Sequence, residues 1–191
     1  MIYETVITTV NADGSAHIAP FGIREHGDRI IISPFRPSTS LDNLLRTKQA
    51  VVNLTDDVRI FSGALTGRRD WPVRRADEVD GFVLEAALAH RELMLVEIKD
   101  DAVRPELSFK VAQEITHKPF RGFNRAQAAV LEAAVLVSRL HMLPPEKVAA
   151  EIAYLTIAVE KTAGEREMQA WSWLIERIEN YNAGLFGDNQ A

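Results

Sequence analysis

The chain has no cysteine in its 191 residues. That excludes a disulfide scaffold and any zinc or iron–sulfur centre held by thiolates. Any redox role must therefore come from a bound cofactor, since no thiol is present to supply one. Common nucleotide signatures are also missing. There is no Gly-x-Gly-x-x-Gly, and the run Gly63-Ala64-Leu65-Thr66-Gly67 continues into Arg68-Arg69 rather than a Gly-Lys-Ser/Thr ending. Neither His-Glu-x-x-His nor Gly-x-Ser-x-Gly occurs. The histidines (His17, His26, His90, His117 and His141) are scattered, so a metal site made from them needs distant segments to converge, and no metal is expected. Long apolar runs are absent. The stretch from Ala126 to Leu140 is broken by Glu132 and Arg139 and is too short and too charged to span a bilayer. The start, Met-Ile-Tyr-Glu, has no basic segment followed by an apolar core, so no secretory signal is read and the cytoplasm is the expected location. On that reading, Asn53-Leu54-Thr55 matches the glycosylation sequon by chance. Positive charge is in deficit, with 22 Lys+Arg against 27 Asp+Glu and a net charge of −5. An acidic chain repels long polyanions, so no nucleic-acid partner is expected.

What is present is ordinary globular composition: 47% hydrophobic and 26% charged residues, enough apolar surface to drive folding. Two hydrophobic periods divide the chain. Roughly the first 115 residues read as strands and turns. Ile2–Val10 is rich in β-branched residues, and Asn11-Ala12-Asp13-Gly14 supplies a turn with glycine available for positive φ. Ser15–Arg24 is extended, His26-Gly27-Asp28 is a second turn, and Arg29–Ser33 is a third strand whose three isoleucines predict burial on both faces. Gln49–Thr55, Leu93–Ile98 and Leu107–Val111 complete six strands, which argues for an antiparallel barrel. After that the period becomes helical. Helices are predicted over Ala126–Leu140, Glu146–Thr162 and Glu165–Tyr181, with Asn124 as N-cap of the first and Gly164 ending the second. The three helices are expected to pack on the barrel.

Four segments are candidates for chemistry. In Ser33-Pro34-Phe35-Arg36-Pro37-Ser38-Thr39-Ser40-Leu41-Asp42-Asn43-Leu44, a buried strand enters a proline-bracketed loop and then a short helix, Leu41–Arg46. Hydroxyls and free N–H groups at a helix start form an anion site, with Arg36 adding charge and Asn43 an amide; the bland alternative is that a hydroxyl merely caps the helix. In His17-Ile18-Ala19-Pro20-Phe21-Gly22-Ile23, a strand proline leaves neighbouring backbone groups facing something other than a ladder, and Gly22 admits a close approach; an edge bulge explains it equally well. His117-Lys118-Pro119-Phe120-Arg121-Gly122-Phe123-Asn124-Arg125 is basic and aromatic in an acidic chain and opens a helix, so Lys118, Arg121 and Arg125 could close over an anion; otherwise it is a solvated connector. Lys161 in Glu160-Lys161-Thr162-Ala163-Gly164 is ordinary for a helix C-terminus. Trp171 and Trp173 lie two apart on the last helix and cannot share a face, so one is core and the other a dimer contact or a ring-stacking group.

In their order, Thr8-Thr9, Asp13-Gly14, Ala19-Pro20-Phe21-Gly22, Pro34-Phe35, Ser38-Thr39, Asn43-Leu44, Val52-Asn53, Phe123-Asn124-Arg125-Ala126, Glu132-Ala133-Ala134 and Lys161-Thr162-Ala163-Gly164 resemble the domain-of-unknown-function 447 (DUF447) family. That family belongs to the FMN-binding split-barrel, flavin-reductase-like class, and the resemblance runs from Tyr3 to about Trp173. It implies an α+β fold, mainly β in the N-terminal half: a six-stranded antiparallel split barrel over residues 1–123, a three-helix extension of the same domain over 124–182, and a loose tail over 183–191. It also implies a homodimer with FMN near the subunit interface. On that basis Ser38, Thr39, Ser40 and Asn43 form the phosphate cradle. The backbone of Pro20, Phe21 and Gly22 follows the isoalloxazine edge, flanked by Phe35 and Arg36. Lys118, Asn124 and Arg125 lie in the segment that supplies countercharge. The function implied is a flavin-dependent oxidoreductase of unknown substrate, with NAD(P)H or another small molecule as redox partner. Two alternatives stand beside it: a non-catalytic flavin carrier or sensor, and a dimeric interaction protein with an empty barrel. No side chain is singled out as catalytic.

Overall fold

The computed structural model describes residues 1–185, so the end of the tail expected to be loose lies outside the described residues. In chain order the elements are β1 (Ile2–Val10), β2 (Ala16–His26), β3 (Arg29–Ile32), α1 (Thr39–Thr47), β4 (Gln49–Leu54), α2 (Arg59–Leu65), β5 (Val73–Arg75), β6 (Phe82–Leu84), β7 (Ala89–Lys99), β8 (Glu106–Thr116), α3 (Arg125–Val137), α4 (Pro145–Thr162) and α5 (Glu165–Asn182). A short 3-10 turn, Leu140–Met142, separates α3 from α4. The chain divides into two compact bodies. One contains residues 1–56 and 70–120; the other contains 57–69 and the chain from 121 onward. No described helix is long and apolar enough to cross a membrane.

The first body is the expected six-stranded antiparallel barrel, closed in the order β1-β2-β3-β8-β7-β4. The turns that join its first strands form where the sequence placed them. Gly14 has φ +85° and Gly27 φ +62°, conformations that cost other residues energy. Asp13 Oδ1 accepts the Ser15 N–H at 2.9 Å, closing the first turn. Alternation then sorts side chains to two faces. Ile7, Ile23, Ile30, Ile32, Val52, Leu93, Leu107 and Phe109 fill the interior, and Leu41 and Leu44 of α1 join the same cluster. Ile31 points to the other face and is also buried, so the isoleucine triplet is covered on both sides as expected.

The outward face of β1, β4 and β7 is polar yet buried. A segment with no counterpart in the sequence reading covers it: the small β5–β6 hairpin and its connections. Val79 and Val83 pack on Val51, and Gly81 fits against Val51 so closely that a Cβ there would come within 3.1 Å of Val51 Cγ2. Thr8 Oγ1 donates to the Phe82 carbonyl, and Asn53 Oδ1 accepts from Leu84 N at 2.8 Å. Glu92, fully buried, accepts three backbone N–H groups, from Asp77 (2.9 Å), Glu78 (2.6 Å) and Val79 (2.9 Å). Its Oε1 also meets His90 Nε2 at 3.2 Å, and His90 Nδ1 lies 2.8 Å from His117 Nε2. Burial alone would raise the Glu92 carboxyl, but the three amides and His90 outweigh it and hold it below the usual carboxylate value. His117 is likewise held below an ordinary imidazole, by desolvation and by the neighbouring charges of His90, Arg74 and Lys118, with Asp77 opposing.

The second body is helical. Ala126, Ala129, Val130, Ala133 and Ala134 of α3 pack with Val148 and Val159 of α4, Ala170, Trp171 and Leu174 of α5, and Val58 just ahead of α2. The stripe predicted on α4 is the one that packs: Ile152 and Leu155 lie against this cluster between Val148 and Val159.

Both lowered groups bind protons more weakly in the folded chain than in the unfolded one, so acid favours unfolding. The stabilising share of His117 is complete above about pH 6.5, its unperturbed value, and drains away below it; that of Glu92 is complete above about 4.5 and is lost as pH falls through its depressed value. Glu92→Gln keeps the shape and removes the charge that the amides bind. It is expected to cost about 2 kcal/mol at neutral pH, in the range for hydrogen bonds to charged groups, and to flatten the acid limb below pH 4.5. Urea unfolding from pH 2 to 8 checks both, and an unchanged profile would contradict the assignment.

Candidate functional site

The barrel wall has a gap. β3 is four residues long and pairs with only the last four residues of β2, Ile23–His26. β1 covers the whole of the other side of β2, from Ala16 to Arg24. Among the described residues, the edge of β2 from Ala16 to Gly22 therefore has no strand partner on the side away from β1. This is the segment whose proline suggested unusual backbone exposure. The strand is continuous through it, with no register shift against β1, so the edge-bulge reading does not apply. Pro20 and Gly22 face out of the barrel while Phe21 packs against the core. The closeness that requires Gly22 is local: a Cβ there would stand 2.8 Å from Ile2 Cγ2.

The rim of the gap is the loop after β3 and the first turn of α1. Pro34 ends the strand direction, because it cannot donate to a ladder. Arg36 N donates to Val103 O at 2.8 Å, and Arg104 Nε to Ser33 O at 3.0 Å, tying this loop to the β7–β8 turn. Phe35 is exposed, with the Arg104 guanidinium 4.8 Å from its ring centre. Arg36 pairs with Asp100 at 3.0 Å, both side chains reaching solvent. Helix α1 then begins at Thr39, two residues earlier than the sequence suggested, with Ser38 as N-cap: its Oγ accepts from Leu41 N at 3.3 Å. The cap reading is therefore correct for Ser38. It leaves the hydroxyl proton of Ser38, the hydroxyl of exposed Thr39, and the first N–H groups of the helix, which have no partner within it.

A buried polar cluster holds this turn to the barrel. His17 Nε2 and Ser40 Oγ share a hydrogen bond of 3.0 Å, linking the unpaired edge of β2 to α1. Asn43 Nδ2 donates to Thr9 Oγ1 (3.1 Å) and Asn11 Oδ1 (3.0 Å), and its Oδ1 accepts from Arg46 (3.2 Å). Arg46 also donates to the Val10 carbonyl. Both N–H groups of the Asn43 amide are thus committed inside the protein, where they brace α1 against β1. Thr9, Asn11, His17 and Arg46 were not singled out as binders. Two of them carried a signal, His17 as the first residue of the proline-containing segment and Thr9 in the Thr8-Thr9 pair of the resemblance.

The basic segment splits between the bodies. Lys118 follows β8 in the barrel body, exposed, its N–H donating to Leu88 O at 3.0 Å. Asn124 and Arg125 belong to the helical body. Asn124 caps α3, accepting from Ala126 N (2.8 Å) and Gln127 N (3.2 Å), and donates to Thr162 O at 3.0 Å. Thr162 Oγ1 also accepts from Ala126 N, at 3.0 Å. The start of α3 and the end of α4 are therefore locked together by Asn124, whose amide is committed there. Arg125 is exposed at the first turn of α3.

With this geometry in hand, comparison with known proteins adds the following. A family model described as protein of unknown function (DUF447) N-terminal domain matches residues 3–118, and a second, protein of unknown function (DUF447), matches 124–176. No curated protein matches the sequence. Among solved structures, an FMN-bound DUF447 protein of Methanosarcina mazei superposes with TM-score 0.79 at 23% identity, over 92% of this chain and 94% of that one. The 2-nitrobenzoate 2-nitroreductase of Pseudomonas fluorescens superposes with TM-score 0.53 at 19% identity, over 60% of this chain and 64% of that one. An NADH:FAD oxidoreductase of Streptomyces globisporus gives TM-score 0.51 at 11% identity, over 60% and 75%. At these identities the likeness establishes the fold.

Asn43→Ala is expected to lower stability by about 2 kcal/mol, because it strands the buried Thr9 hydroxyl and frees α1. Thr39→Ala, at an exposed first-turn position, should change stability by less than about 0.5 kcal/mol. Thermal melts of the two variants side by side check the contrast, and equal effects would contradict the bracing role.

Proposed function

The chain belongs to the DUF447 family, and from that premise we propose that it is a flavoprotein that holds FMN in the gap beside β2 and works as a flavin-dependent oxidoreductase. The observation that carries the reading is the strand edge from Ala16 to Gly22, which among the described residues has no strand paired to it away from β1, ending beside the first turn of α1. A flat ring needs a row of backbone donors and acceptors along its polar edge; this edge offers one. A phosphate needs N–H groups and hydroxyls held by a helix dipole; Ser38, Thr39 and the first turn of α1 offer those. An FMN-bound structure of the same fold supports the choice of ligand.

A bound flavin supplies hydride and single-electron chemistry that no side chain of this protein can. The chain's part is to bind and orient. Ser38 and Thr39 hold the phosphate, while His17 and Ser40 keep that turn against β2. Phe35 and Arg36, in the loop after β3, would flank the ring. A small-molecule electron donor such as NAD(P)H completes the reaction. Met94, Val96 and Ile98 are exposed apolar side chains along β7, which supports a homodimer.

Untreated purified protein is expected to absorb between 350 and 500 nm, and added FMN at 100 times its Kd to raise stability by about 2.7 kcal/mol. Ser38→Ala with Thr39→Ala should weaken FMN binding about tenfold or more, each lost bond to a charged group being worth roughly 1.5–3 kcal/mol. Colourless protein whose melt ignores FMN would overturn the reading. Anaerobic mixing with NADH or NADPH then tests the enzyme: bleaching of the flavin band marks a reductase, and its absence marks a carrier.

A further inference from the structure

Two sequence features are not absorbed by the barrel site: the glycine-bracketed run from Gly63 to Gly67 that ends in Arg68-Arg69, and the second tryptophan of the pair on α5. They meet in the helical body. The turn Ala64–Arg69 at the end of α2 and the face of α5 from Trp173 to Asn180 enclose a cleft of about 320 Å³. The chain doubles back at Gly67, whose φ of +81° suits glycine, and Arg68 N returns to Gly63 O at 2.8 Å. That turn sets the Arg68 guanidinium 4.6 Å from the centre of the Trp173 ring. Trp171, two residues earlier, is in the core, so Trp173 is the member of the pair that is left to the cleft.

The lining is charged in one sense. Arg68, Arg69 and Arg177 face the single carboxylate of Glu176. Arg68 and Glu176 are 3.5 Å apart, and both side chains reach solvent, so the pair holds the cleft weakly and can be exchanged for a better anion. Arg68 also donates to the Thr66 carbonyl at 3.2 Å, a second hold on the guanidinium near the indole. A planar cation lying on an indole presents its outer face to a further flat ring. Arg69, which donates to the Ala64 carbonyl at 3.4 Å, and Arg177 carry planar guanidinium forks of the kind that match phosphate oxygens, and Asn180 adds an amide. The volume sits at the lower end of ligand clefts, roughly 300–1,000 Å³, which suits one ring with one phosphate group.

We propose that this cleft is a second ligand site, distinct from the gap beside β2, that takes a mononucleotide: phosphate on Arg69 and Arg177, ring on the Arg68–Trp173 stack. The proposal stands on the helical body alone and does not depend on what the barrel carries. AMP is the probe, titrated into the full chain and followed by tryptophan fluorescence and by calorimetry, with adenosine and inorganic phosphate in parallel. Saturable AMP binding is expected, weakening as salt rises, with adenosine and phosphate each binding at least about tenfold more weakly. Trp173→Phe should remove the fluorescence change while calorimetry still detects binding. Arg69→Gln and Arg177→Gln should each weaken AMP about tenfold or more, the size of one lost charged hydrogen bond, with melts confirming that both variants fold. Absence of saturable binding, binding unchanged in the Arg69→Gln/Arg177→Gln double variant, or phosphate binding as tightly as AMP would each overturn it.

Discussion

Glu92 is the carboxylate on which the barrel body turns. It has no solvent around it, and a buried charge without partners costs several kcal/mol. Its partners are the backbone amides of residues 77–79 and the ring of His90. Those amides are available only when the segment carrying β5 and β6 lies on the outer face of β4 and β7. The same segment satisfies Thr8 and Asn53. The outward face of three strands can therefore be polar and buried at once, and neither the strands nor their cover is satisfied without the other. His117 carries the network out to the surface, where Arg74 lies 3.5 Å from its Nε2.

On the other side of the barrel the chain does the opposite and leaves backbone uncovered. The cause is the early end of β3 at Ile32, followed by Ser33-Pro34 and Pro37. The chain departs from the wall, and α1 returns to fill the interior with Leu41 and Leu44. One departure thus does two things: it exposes an edge of β2, and it brings a helix start next to that edge. The brace of Asn43, Thr9 and Asn11 keeps the two in register.

Much of this was legible in the sequence. The barrel strands declare themselves through β-branched runs cut by Asp13-Gly14 and Gly27, and α4 through its stripe from Val148 to Val159. The β5–β6 hairpin was not legible, because each strand is three residues long and Arg74 and Arg75 occupy most of one. Helix α2 has no side-chain cap and carries Gly63 in its interior, so its seven residues give no periodic signal. In the candidate site, the proline in β2 marks the strand edge without a strand partner and the hydroxyls after Pro37 mark the start of α1. Their roles did not follow, since roles depend on partners distant in the chain. Asn43 reads as a free amide until Thr9 and Asn11 are seen beside it. His90, Glu92 and His117 are ordinary residues until a lid of backbone amides closes over them.

The segment 57–69 belongs with helices that begin at residue 125. Ribosomal synthesis therefore delivers Val58 and Leu65, both part of the helical core, long before α3 and α5 exist to receive them. The barrel strands β7 and β8 emerge in between. Until those helices are made, these two apolar side chains have no helical core to enter. The same interleaving means that no single cut of the gene yields both bodies whole.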